Sequence, residues 1–347
     1  MNIGFTSSVY PADKTDRTRW IVQRRPPKNQ VNSARPLAFF VEKEPFESGI
    51  EDVVSIVLVN RECPWRCLMC DLWKNTTNSP VAPGDIPRQV KQAFENLGIS
   101  KTENGQVHSG RRTQKYYGLK LYNAGSFFDV GAILPQDYRE IGRCLTGFRR
   151  LVVESHPLLI RDNVKGFREV IIEEQGNDIE IEIAMGLETA NPDVLSLLNK
   201  GMKLEDFAIA CQYLLGLGID VRAFILLNPP FMTDEGERIK WAIRSAQFAF
   251  DCGVSKVVLI PVRKGNGAID ELEAEGSFSP ISLLTVEYIF ESILALRRGI
   301  AMVDLWDIGL LKENECQRCF EHRVERLRKM NLGQRVLPKE RCLACGL

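Results

Sequence analysis

The sequence predicts an α/β fold: a partial (β/α)6 barrel with an irregular N-terminal arm and a small C-terminal knuckle built on four cysteines. Three observations predict it. Near-continuous apolar runs of strand length alternate with longer segments of helical character, the pattern of a parallel sheet covered by helices or closed on itself. Conspicuous polar motifs stand directly after those runs, where an α/β barrel carries its chemistry. Two groups of closely spaced cysteines mark the end of the first run and the C-terminal region.

Residues 1–50 read as a basic arm, because "RRPP" and "ARP" oppose regular structure. The core barrel is expected over 51–265. Its strands are placed at Val53–Val59, Leu119–Asn123, Arg150–Glu154, Ile179–Met185, Val221–Leu227 and Lys256–Ile260. Its helices are placed at Pro87–Leu97, Pro135–Cys144, Val164–Glu174, Pro192–Leu198, Leu204–Leu217 and Glu235–Cys252. The polar stretch Lys101–Lys115 reads as a loop. The alternation changes near Gly265, so 266–347 read as a helical extension carrying the second cysteine group.

With 347 residues and 44% hydrophobic content, the chain can bury a sizeable core, which excludes wholesale disorder. Its 45 basic and 45 acidic residues cancel, but unevenly. Arg17–Pro36 holds six Arg/Lys and no Asp/Glu, and Cys316–Leu347 holds eight Arg/Lys against three Glu. Basic ends on an acidic body suit a polyanionic partner, or are simply solvated arms. No apolar segment is long enough to cross a bilayer, and the polar start lacks a signal-peptide core, so a cytoplasmic location and no membrane contact are expected. There thiols stay reduced, and clustered cysteines mean metal or catalysis.

"RECPWRCLMC" places Cys63, Cys67 and Cys70 within eight residues of one another. A structural zinc site takes four protein ligands. Three thiols with no fourth nearby point instead to an iron–sulfur cubane with one iron left open. The alternative is three buried cysteines on one helix face, which Pro64 and the position after a strand oppose. Cys316, Cys319, Cys342 and Cys345 form two C-x₂-C pairs separated by 22 residues, a metal signature for zinc or an auxiliary iron–sulfur cluster. Cys144, Cys211 and Cys252 stand alone and read as small buried residues.

The C-x₃-C-x₂-C motif after the first barrel strand resembles the radical S-adenosylmethionine (SAM) superfamily. That resemblance implies a [4Fe-4S] cluster on Cys63, Cys67 and Cys70, with SAM chelating the open iron. It further implies reductive cleavage to a 5′-deoxyadenosyl radical, with electrons from a donor such as flavodoxin or ferredoxin. Met69 departs from the family, which often has an aromatic residue there. Within the resemblance, Gly125 and Ser126 of "NAGSFFD", Glu154 and His156 of "ESHP", and Glu188 of "GLETANP" are the expected SAM contacts. For His156 and Glu188 structural roles are the alternative. Asn228 is a candidate for the substrate side. The strand-end motifs together resemble the branch that includes the elongator catalytic subunit and the radical-SAM component of archaeosine synthase, which implies a nucleoside in tRNA as substrate. The alternatives are a radical SAM enzyme acting on a small metabolite or peptide, and a non-catalytic metal-stabilised binding protein.

Overall fold

The computed structural model describes residues 9–101, 107–109, 118–176, 179–339 and 341–346. The strands are β1 (Ala38–Phe46), β2 (Gly49–Leu58), β3 (Ile99–Lys101), β4 (Val107–Ser109), β5 (Gly118–Asn123), β6 (Arg150–Glu154), β7 (Glu180–Glu188), β8 (Asp220–Leu226), β9 (Lys256–Ile260) and β10 (Ile300–Val303). The helices are α1 (Lys14–Arg24), α2 (Asp85–Asn96), α3 (Tyr138–Cys144), α4 (Asp162–Gln175), α5 (Pro192–Leu197), α6 (Leu204–Gly216), α7 (Glu235–Asp251), α8 (Ala268–Glu275), α9 (Leu283–Ala295) and α10 (Phe320–Gly333). Eight strands form one sheet in the order β1-β2-β5-β6-β7-β8-β9-β10, and β3 pairs with β4 in a small hairpin. From β2 to β10 every neighbouring pair is parallel, while β1 runs antiparallel to β2.

Period-two alternation explains how these strands are used. Val54, Ile56 and Leu58 of β2, Leu119 and Leu121 of β5, Leu151 and Val153 of β6, and Val257 and Leu259 of β9 share one large core with Phe167, Phe207 and Phe290 of the helices. The opposite strand face carries charge. Glu44 of β1 meets Lys120 of β5 at 2.7 Å, Lys256 of β9 at 2.6 Å and Arg222 of β8, which also binds Glu182 of β7. Side chains from first and seventh strands of the sheet touch only if the sheet curls on itself. All five residues are buried, and they sit near the N-terminal ends of the parallel strands, so they plug the bottom of the barrel. The three cations hold the Glu44 carboxyl well below the usual carboxylate range against the opposing effect of burial. Removing one partner from such a set costs about 3–5 kcal/mol, because it strands a buried charge.

The barrel does not close by strand pairing, since β1 and β10 are the two ends of the sheet. Helix α10 packs against both. Its Asn331 side chain bonds Val303 N and O at 2.8 and 2.9 Å, and its C-cap Gln334 bonds Ala301 N and O at 3.0 and 2.8 Å. Two side-chain amides thus satisfy the backbone groups that a ninth strand would have taken, which covers an otherwise open edge.

All six strands and six helices expected from the sequence are present within a few residues of their predicted positions. Of residues 1–50, read as irregular, the described part 9–50 is only partly so. It holds α1, capped by the Asp13 carboxylate on Thr15 N and Asp16 N, and β1. Pro26 and Pro27 lie just beyond α1 and Pro36 just before β1, so the breakers delimit elements instead of abolishing them. Pro45 inside β1 is tolerated because β1 is an edge strand. Strand β10 is a further addition, only four residues long. Of the expected loop Lys101–Lys115, residues 102–106 and 110–115 lie outside the described residues. No helix among the described residues is long and apolar enough to cross a membrane.

Candidate functional site

The segment after β2 carries Cys63, Cys67 and Cys70 and is pinned through its peptide groups from three directions. Asn266 Nδ2 donates to Leu68 O (2.8 Å) and Cys70 O (3.3 Å), and Lys74 Nζ donates to Gly265 O (2.6 Å). Leu68 N donates to Leu198 O (2.9 Å), and Asn199 Nδ2 donates to Arg66 O (2.9 Å). From the N-terminal side, Arg25 and Lys28 pair with Glu62 at 2.7 and 3.6 Å, and the Arg25 guanidinium lies 4.6 Å from the Trp73 ring centroid. The backbone is therefore fixed by other groups, while the three cysteines are half-buried and joined in no disulfide. Burial pushes all three thiols up, Cys67 to about 12 with Lys200 acting in the opposite sense. Metal must therefore displace protons to bind here.

Gly125 and Ser126 follow β5 directly. A Cβ on Gly125 would come within 2.9 Å of Arg61 O and 3.2 Å of Asn60 Nδ2. Its missing side chain thus lets the β5 strand end approach the cysteine segment. Ser126 Oγ accepts a hydrogen bond from His156 N (3.0 Å). Glu154 ends β6 and accepts from Asn123 N (2.6 Å). Burial raises its carboxyl to about 8, with the Asn123 hydrogen bond and the Lys200 charge opposing.

His156 is occupied on both ring nitrogens. Nδ1 accepts from Leu158 N (3.2 Å), so Nε2 carries the hydrogen and donates to Lys200 O (3.1 Å). Burial first, then the Lys200 charge, pushes the imidazole down to about 2, so it is neutral. Its face stacks on Trp65, with centroids 3.7 Å apart and planes at 5°. Trp65 stands between Cys63 and Cys67, so His156 buttresses the cysteine segment.

Glu188 ends β7 in the left-handed region, φ 67°, next to a register shift at Gly186. Its carboxylate bonds Lys200 Nζ at 2.6 Å, with both side chains buried. A Cβ on Gly186 would fall 2.4 Å from that ammonium, so glycine there makes room for the pair. Burial opposes the Lys200 charge, yet Glu188, Cys67 and Cys63 together keep its pKa raised. The Lys200 carbonyl in turn bonds His156, the ring stacked on Trp65 of the cysteine segment. Asn60 and Asn123 complete this region. Both are buried, and among the described residues neither side-chain amide has a hydrogen-bond partner. An orphaned buried polar group costs about 1–3 kcal/mol, which a ligand that pairs with it returns.

Asn228 does not join this set. Its Oδ1 accepts from Val262 N (2.8 Å) and its Nδ2 donates to Ser279 O (3.2 Å), so it ties two loops together. Reading the sequence missed Trp65 and Lys200 as site residues. Lys200 stands twelve residues after Glu188 in the sequence, and its pairing with Glu188 depends on a bulge that sequence periodicity does not show. Two arginines of the basic C-terminal stretch are internal. Arg323 pairs with Glu287 (2.9 Å) and Glu315 (3.0 Å), and Arg326 with Glu291 (2.8 Å). A cavity of about 550 Å³ opens at the loops after β9 and β10, lined by Val262, Arg263, Gly265, Asp304 and Leu311 among others. None of the three cysteines, Gly125, Glu154, His156 or Glu188 lines it. At the C-terminal end, the sulfurs of Cys316, Cys319, Cys342 and Cys345 all lie within 4.8 Å of one another, a group able to hold a metal ion.

No family model matches the chain. It is 32% identical over 173 residues to archaeosine synthase subunit beta of Thermococcus kodakarensis, a match covering 48% of this chain and 48% of that protein. About half of that relative's length is therefore left unmatched. It is 23% identical over 295 residues to archaeosine synthase subunit beta of Methanosarcina acetivorans, covering 81% of this chain and 79% of that one. Among solved structures, methylornithine synthase (PylB) aligns at TM-score 0.46 and 13% identity, over 87% of this chain and 74% of its own. Elp3 of Methanocaldococcus infernus aligns at TM-score 0.45 and 16% identity, over 76% and 65%. The two curated relatives bear out the resemblance read from the sequence.

Proposed function

We propose that this chain, a relative of archaeosine synthase subunit beta, is a radical SAM enzyme acting on a nucleoside in tRNA. The observation that carries the reading is the three-cysteine segment, held by its backbone beside a barrel mouth that presents buried, unpartnered amides on Asn60 and Asn123. Those residues fit a cluster with a bound small molecule. Cys63, Cys67 and Cys70 would hold three irons of a [4Fe-4S] cluster. When bound, that cluster supplies one electron to the sulfonium of SAM, releasing methionine and a 5′-deoxyadenosyl radical.

The chain's own residues bind and shield. Glu154 and the Asn60 and Asn123 amides offer hydrogen bonds to the amino-acid end of SAM, next to Gly125 and Ser126. Glu188 and Lys200 form a fixed dipole beside the cysteines, and the cation side favours bound carboxylate and thiolate charge. His156 acts through Trp65, as a positioning residue. The tRNA assignment rests on the curated relatives' name and on exposed basic residues such as Lys329 and Arg335. That name also supports assembly with a partner subunit. An external electron donor is required by the chemistry.

The test is anaerobic. Chain reconstituted with iron and sulfide is given SAM, dithionite and bulk tRNA, and 5′-deoxyadenosine is quantified. The reading predicts formation that depends on the three cysteines and rises with tRNA. No formation from fully loaded protein would refute the enzyme, and formation indifferent to tRNA would refute the substrate.

A further inference from the structure

The C-terminal cysteines hold a different kind of centre from the one proposed for the N-terminal three. Cys316 Sγ lies 4.0 Å from Cys342 Sγ, and Cys319 Sγ lies 3.7 Å from Cys345 Sγ. Four thiolates around one tetrahedral zinc, at Zn–S about 2.3 Å, stand about 3.8 Å apart. The four thiolates of an iron–sulfur cluster are divided among two or four irons, and those on different irons are held apart by the body of the cluster. Four sulfurs mutually within 4.8 Å leave no room for that body. By contrast, Cys63, Cys67 and Cys70 form no such tight group among the described residues.

The site is placed where a clamp would act. Cys319 is the N-cap of α10, the helix whose Asn331 and Gln334 cover the open edge of β10. The returning tail is tied to the same helix, because Arg326 Nε donates to Leu337 O and Pro338 O, both at 3.0 Å.

We infer that Cys316, Cys319, Cys342 and Cys345 bind a single tetrahedral zinc ion that fastens α10 across the seam between β1 and β10, and that no auxiliary iron–sulfur cluster forms there. With four protein thiolates the ion has no open position, so its part is structural.

Metal analysis of full-length chain prepared without oxygen tests this. The wild type should carry a single zinc ion besides about four irons, and a Cys63→Ala/Cys67→Ala/Cys70→Ala variant should keep zinc and lose iron and sulfide. Cobalt(II) in place of zinc should give the visible bands of a tetrahedral tetrathiolate. Cys342→Ser/Cys345→Ser should lose the zinc, and amide exchange of α10 and of Ala301 and Val303 should rise at least tenfold. Iron with sulfide in the triple variant, about eight irons in the wild type, or no metal on these four cysteines would each overturn the inference. So would unchanged exchange on zinc loss. None of these readouts depends on SAM cleavage, so they stand or fall apart from the enzyme reading.

Discussion

Residue by residue, the site divides into groups whose chemistry is local and groups whose role comes from distant contacts. The cysteine spacings were legible because ligand geometry is written in a few consecutive residues. Lys200 and Trp65 were not legible, since one needs the bulge that turns Glu188 into the left-handed region and the other needs His156 from another strand end. Glu154 gives a measurable consequence. The folded chain keeps its proton up to about 8, whereas an unfolded glutamate releases it near about 4.3. The native state then binds more protons, so this group's contribution to stability falls as pH rises across that window. Urea unfolding of the ligand-free chain should therefore show Glu154→Gln gaining on the wild type from pH 5 to pH 8. An equal gap at both ends would show that Glu154 titrates normally.

Elements show a similar division. Interior strands were legible because both faces are covered and the apolar run is continuous. The edges were not. Strand β1 carries charge on its inner face, Glu44 above all, and reads as polar sequence. Strand β10 is too short to stand out. The ionic plug was invisible for the same reason. Lys120, Arg222 and Lys256 look like strand punctuation until the sheet curls and brings Glu44 to them. The seam yields the prediction at this scale. Asn331→Leu removes both partners of Val303 and leaves a buried strand edge unpaired, which costs about 1–3 kcal/mol. Gln334→Leu should cost less, because Gln334 is half-buried. Equilibrium unfolding of the two variants checks the order; equal and negligible effects would mean the helix covers β10 by apolar packing alone.

At the scale of the whole molecule, charge and architecture separate. Both chain ends are basic in sequence, but Arg24, Arg25, Arg323 and Arg326 are spent on Glu271, Glu62, Glu287 and Glu291. The ends are therefore first of all structural, the N-terminal one bracing the cysteine segment and the C-terminal one covering the seam. Any polyanion must meet the exposed remainder, such as Arg328, Lys329 and Arg335. What unites the molecule is a barrel plugged by ions at its bottom, stitched at one side and furnished at its mouth with three thiols and, among the described residues, no fourth. On the proposed reading, one iron bound there is left for a small molecule. Hyperfine spectroscopy on the reduced, oxygen-free protein, with SAM labelled at its amino nitrogen and carboxylate oxygen, tests this. Both labels should couple to the cluster; a fully assembled cluster showing neither coupling would rule the reading out.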